Sequence, residues 1–236
     1  LDSYQKIVSL VLATRVSEYA LSKRGRVRAA DRSRLYIRDV VRGSMGFLLE
    51  EVIEQNEILP TPLKESVESV TQLLATLTDP TEEVFEDALE NTQPRIVGAV
   101  QEFAKVLNDA GACAKIAGDE NVVSLAFEDV ERLSQRLNDV QIDEHSDLFS
   151  GILLGILPDS HEFEIRLEGN EFVTKGAISD AIALKYTADP SFIENLLLKH
   201  VQAELKTVKT VRKGKVIRER LILESVAPAS GIIPQS

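Results

Sequence analysis

Leu148-Phe149-Ser150-Gly151-Ile152-Leu153-Leu154-Gly155-Ile156-Leu157, the turn Pro158-Asp159-Ser160, and Glu162-Phe163-Glu164-Ile165-Arg166-Leu167 mark the point where the periodicity of this chain changes. The first run is continuous and apolar, and about half as long as a membrane-spanning helix requires. The second alternates, with Phe163, Ile165 and Leu167 on one face. Both therefore read as strands. Beyond them Glu168-Gly169-Asn170 is a turn and Phe172 to Ile178 a third strand. Asp189-Pro190 opens a helix through Phe192, Ile193, Leu196 and Leu197. Val201, Ala203 and Leu205 begin a fourth strand. Arg212-Lys213-Gly214-Lys215 turns it into a fifth, where Ile217, Leu221 and Leu223 follow.

Upstream of this stretch the pattern is helical. Tyr4 to Lys23 has apolar residues at helical spacing. A basic connector, Lys23 to Arg28, leads to Leu35–Arg42, whose β-branched and aromatic residues predict a strand. Gly43-Ser44-Met45-Gly46 then turns into a predicted helix over Phe47 to Asn56. Three more helices begin near Thr61-Pro62, Asp79-Pro80 and Gln93-Pro94, each with a proline suited to a first turn. Gly111 is a stop, and a last helix spans Phe127 to Asn138. The acidic, polar segment 139–147 reads as a boundary. The expected fold class is α+β: a mainly helical domain over residues 1–142, a small five-stranded barrel over 148–227, and a flexible tail over 228–236.

Strand-strand-strand-helix-strand-strand resembles the oligonucleotide/oligosaccharide-binding (OB) barrel. Phe149-Ser150-Gly151, Glu168-Gly169-Asn170 and Gly176 suit a tightly coiled sheet. The resemblance covers about a third of the chain and is one of strand order. It implies that a ligand meets the face of strands two and three. Here that face offers His161, Glu162, Glu164, Arg166, Glu168, Glu171 and Lys175, mostly acidic and without the aromatic side chains that stack single-stranded bases. The first 142 residues are similar to the front part of uncharacterised bacterial proteins, in the helix, basic connector, strand and Gly-Ser turn.

Charge is sorted along the chain. Residues 1–42 carry ten Lys or Arg against four Asp or Glu, residues 43–147 six against twenty-three, and residues 148–236 eleven of each. The net charge is −11. An acidic middle flanked by basic segments bears on partners rather than on fold. Cys113, the single cysteine, sits between alanines and reads as a small buried hydrophobe. It excludes an intrachain disulfide, and a reducing, cytoplasmic setting follows. The first segment mixes Asp2, Lys6, Arg15 and Glu18 with apolar residues, unlike a signal peptide or membrane span.

Four groups of residues qualify as sites, each with a plainer reading. Gly43, Ser44 and Gly46, between a predicted strand and helix, could hold an anion on backbone amides; the plainer reading is a tight turn with Ser44 as N-cap. Arg34, Arg38 and Arg42 share one face of the predicted strand and could track phosphates, or pair with the acidic helices. Lys209, Arg212, Lys213, Lys215, Arg218 and Arg220 form an expected basic ridge on the last hairpin, a surface for nucleic acid or an acidic protein, or ordinary edge protection. His145 and His161 each lie beside carboxylates, without a recognised metal spacing.

No catalytic constellation, metal site or cofactor motif is recognisable. The sequence points to a non-enzymatic binding or adaptor subunit that docks on a larger protein, or on copies of itself, and not to a membrane protein. The alternatives are a nucleic-acid-binding protein using the basic C-terminal hairpin, and an enzyme of unrecognised class.

Overall fold

In the computed structural model the described residues are 1–16, 35–41, 46–51, 61–157, 160–189 and 191–229; over 36–41 and 46–51 the description extends to the backbone. The fold is mixed α+β, with a helical N-terminal part and a β C-terminal part. The described residues divide into two compact units, one up to Val140 and one from Gln141 onward.

The N-terminal unit is built on α1 (Asp2–Val16), α2 (Pro62–Thr78), α3 (Glu82–Asn91), α4 (Pro94–Asp109) and α5 (Phe127–Asn138). Its helices bury the apolar stripes that the sequence sets out. Leu63, Val70, Leu74 and Leu77 of α2 and Ile96, Val97, Val100 and Phe103 of α4 are buried with Ile7, Leu10 and Phe85. Thr61 caps α2, its hydroxyl accepting from Lys64 N–H at 3.2 Å, with Pro62 in the first turn. Asp79 was expected to cap α3; instead it is the C-cap of α2, and its carboxylate accepts from Thr81 N–H at 2.8 Å. The helix starts two residues later, with Thr81 as its N-cap.

Two hairpins accompany these helices. β1 (Leu35–Val41) pairs antiparallel with β2 (Gly46–Glu51). The expected helix over Phe47 to Asn56 is therefore wrong in its first turns. Gly46-Phe47-Leu48-Leu49-Glu50-Glu51 has no preference strong enough to resist the ladder that β1 offers. The second hairpin, β3 (Ala114–Ala117) with β4 (Val122–Leu125), is absent from the sequence reading. Each strand has four residues, too short for alternation to stand out. Cys113 precedes β3 and is exposed, which corrects the buried reading.

The hairpin turn is pinned from α2. Glu68 accepts from the backbone N–H of Asp119, and from those of Glu120 and Asn121 at 3.1 Å each; Asn121 Nδ2 adds a bond at 3.0 Å. Slight burial raises the Glu68 pKa, but Asn121 and the three backbone donors outweigh it and hold the carboxyl below its ordinary range.

The C-terminal unit carries β5 (Val140–Leu157), β6 (Glu162–Leu167), β7 (Thr174–Ile178), α6 (Asp180–Ala188), α7 (Ser191–Glu194), β8 (His200–Arg212) and β9 (Lys215–Pro228). The strands lie in the order β5-β6-β7-β9-β8. β5–β6, β6–β7 and β8–β9 are antiparallel, while β7–β9 is parallel, through Ala177↔Ile222 and Ile178↔Leu223. α6 and α7 connect β7 to β8, which run in opposite directions on either side of β9. Leu153, Phe163, Ile165, Ile178, Leu205 and Leu223 form the centre of the core, with Ile182 of α6 and Ile193 of α7 closing over it.

Several boundaries differ from expectation. The division between the units, after Val140, lies within segment 139–147, but that segment is ordered: from Val140 it is the first half of β5. α6 went unforeseen, and the expected helix after Asp189-Pro190 is the single turn α7. β9 runs to Pro228, into the expected tail; residues 230–236 lie outside the described residues. No helix of the described residues is long and apolar enough to cross a membrane.

Candidate partner-binding surfaces

The basic ridge expected on the last hairpin is less exposed than its sequence implies. Lys206 Nζ pairs with Glu144 at 3.0 Å and lies 3.8 Å from Glu224. Lys209 pairs with Glu219 at 3.3 Å. Arg212 is buried, with 2% of its surface exposed. Arg220 is largely enclosed: burial disfavours its charged form, and neighbouring Arg218 adds to the effect. Arg218 and Arg220 pair with Thr210 and Val208, both buried, so they share the covered face of the hairpin. Lys213 and Lys215 remain exposed at the turn, where Lys213 and Gly214 both have positive φ, at 49° and 78°.

The N-terminal stripe is only partly placed. Arg34 and Arg42 lie outside the described residues, and the backbone of Arg38 sits at a register shift in β1 between Ile37 and Asp39. That shift interrupts the alternation on which a shared arginine face depended. Gly43 and Ser44 also lie outside the described residues. Gly46 opens β2, so the segment joins two strands and no helix N-terminus follows it.

The outer face of β6 and β7 carries mixed charge. Lys175 pairs with Glu164 at 2.5 Å, which holds the ammonium above its ordinary range. Glu162 and Arg166 are exposed along the same strand as Glu164. His145 lies 3.7 Å from Asp147, and His200 3.4 Å from Glu168. Among the described residues no three His, Cys, Asp or Glu are grouped to hold a metal ion.

The surface that sequence reasoning missed is apolar. Leu148 is 72% exposed and Phe172 is 79% exposed, with Phe149 and Val173 also at the surface. Gly151 pairs with Leu167, and Glu168 N–H donates to Ser150 O at 2.9 Å. The start of the loop between β6 and β7, at Glu168, therefore lies beside Ser150 of β5. The available signal was a phenylalanine directly after the polar turn Glu168-Gly169-Asn170-Glu171, where no core position was required.

No protein-family model, no curated protein and no solved structure matches this chain.

Proposed function

We propose that this chain is a non-enzymatic binding subunit that docks on a larger protein. The observation that carries this reading is the exposed apolar surface of the C-terminal unit, led by Leu148 and Phe172. Scattered single apolar residues are ordinary; side chains as large and as exposed as Leu148, Phe172 and Leu198 within one small unit favour a protein contact. The nucleic-acid alternative draws less support. Lys206 and Lys209 are engaged by carboxylates, Arg212 is buried, and the chain as a whole is acidic. Neutralised cations release few counterions and add little affinity for phosphate.

The C-terminal unit is, in this reading, an OB-type barrel. Its support is the strand order, the parallel β7–β9 pair and the helical connection between β7 and β8. Leu153 N–H donates to Lys199 O at 3.3 Å and Leu198 N–H donates to Leu153 O at 2.7 Å, joining β5 to the segment entering β8. The Lys206–Glu144 pair links the same two strands further along. A single cysteine, Cys113, fits a reducing compartment, and the cytoplasm is the proposed setting.

Tagged purification from the native host tests the reading. A protein retained in stoichiometric amount after nuclease treatment is the expected result. Nuclease-sensitive nucleic acid without a protein would move the assignment to the basic hairpin.

A further inference from the structure

We propose that the covered face of the β8–β9 hairpin binds a small monovalent anion, a halide such as chloride, between the hydroxyl of Thr210 and the guanidinium groups of Arg218 and Arg220. The site is independent of the docking reading above.

The register of the hairpin assembles it. Thr210 lies directly opposite Arg218, and Val208 opposite Arg220. Directly paired residues point to the same face, and so do residues two apart along a strand. Thr210 therefore has Arg218 across from it, Arg220 on the diagonal and Arg212 next along its own strand. The burial pattern agrees: Val208, Thr210 and Arg212 are buried, while Lys209 and Val211 between them are less so.

Thr210 is fully buried, and its hydroxyl oxygen has no hydrogen-bond partner among the described residues. A buried hydroxyl without a partner forfeits the bond that solvent gives it in the unfolded chain. Arg220 is largely enclosed. Burial and then neighbouring Arg218 disfavour its charged form, and Glu162 of β6 opposes them only in part. Arg212 and Arg218 have further contacts of their own, which leaves Thr210 and Arg220 as the defining pair.

A neutral ligand would satisfy the hydroxyl and leave the crowded positive charge as it is. An anion accepts from the hydroxyl and offsets the charge as well. A halide has no angular demand of its own, so it can accept O–H and N–H donors arriving from two strands. Full burial of Thr210 favours the smallest such ligand over phosphate or sulfate.

Thermal unfolding at constant ionic strength, with sodium chloride replacing sodium gluconate, tests this. The midpoint is expected to rise saturably with chloride, by at least about 2 °C. Thr210→Val keeps the shape of the side chain and removes its donor, and Arg220→Gln removes a charge. Both should unfold cooperatively and lose the chloride response. A midpoint indifferent to chloride, a rise that never saturates, or a full response in either variant would overturn the assignment. So would a larger response to sulfate at equal ionic strength. Bromide-soaked crystals give a second reading that needs no variant. Anomalous scattering from bromide beside Thr210 Oγ1 is the expected result, and scattering confined to other positions would overturn the proposal.

Discussion

Gly176 shows how closely one residue can hold the C-terminal sheet together. A Cβ added there would meet Leu221 O at 2.5 Å and Phe163 Cε1 at 2.7 Å. The obstruction includes backbone, so it cannot be relieved by rotating a side chain. Gly176→Ala should destabilise the protein by about 1–3 kcal/mol, read from the midpoint of denaturant unfolding. An unchanged midpoint would mean that β7 and β9 do not approach this closely. Gly151 faces a similar limit, with Arg166 O 2.4 Å from its added Cβ. Both glycines stood out in the sequence as suited to a coiled sheet, and close strand approach is the physical reason. Phe172 did not stand out, because exposure of an aromatic depends on a turn that composition alone does not define.

Glu68 makes a second prediction at this scale. Its carboxyl is lowered in the folded state, so its contribution to stability is present above the unfolded value and is lost as the pH falls through the folded one. Glu68→Ala should therefore be less stable than wild type at neutral pH, and the difference should close in acid. A gap independent of pH would show that the charge plays no part in pinning the β3–β4 turn.

Among the elements, α5 secures the end of α2. Arg136 Nη1 donates to Asp79 O at 2.5 Å and Nη2 to Pro80 O at 2.6 Å, while Arg132 Nη2 donates to Thr78 O at 3.0 Å. The Arg136 guanidinium also lies 5.0 Å from the centre of the Phe85 ring. These donors satisfy carbonyls that a helix C-terminus leaves open. Arg136→Ala should cost about 1–3 kcal/mol, checked by thermal or denaturant unfolding. The helices themselves were legible because proline starts and apolar stripes are local signals. The arginine contacts were not, since they join residues more than fifty positions apart. The β1–β2 and β3–β4 hairpins escaped for a related reason: short strands take their identity from the neighbour they pair with.

At the scale of the whole molecule, the change from helical to alternating periodicity located the C-terminal sheet, while β5 begins inside the acidic boundary segment rather than after it. The charge pattern was visible in full, but its use was not. Much of the positive charge on the last hairpin is engaged within the fold or enclosed by it, which only tertiary structure decides. Each unit has its own core, and Leu153 is fully buried in the second. Leu153→Ala should remove about 2–5 kcal/mol and speed hydrogen exchange across β5–β9. Slow exchange should persist in α2 and α4; equal acceleration throughout would mean that the chain unfolds as one unit.

The central claim is that this chain acts by docking a protein through exposed apolar side chains of its C-terminal unit, Phe172 foremost. Its most direct test is purification of wild type and the Phe172→Ser variant side by side from the native host, after nuclease treatment. The account predicts a stoichiometric protein with wild type and its depletion by at least about tenfold with the variant. A wild-type chain that elutes alone, or with nucleic acid in place of a protein, would contradict it.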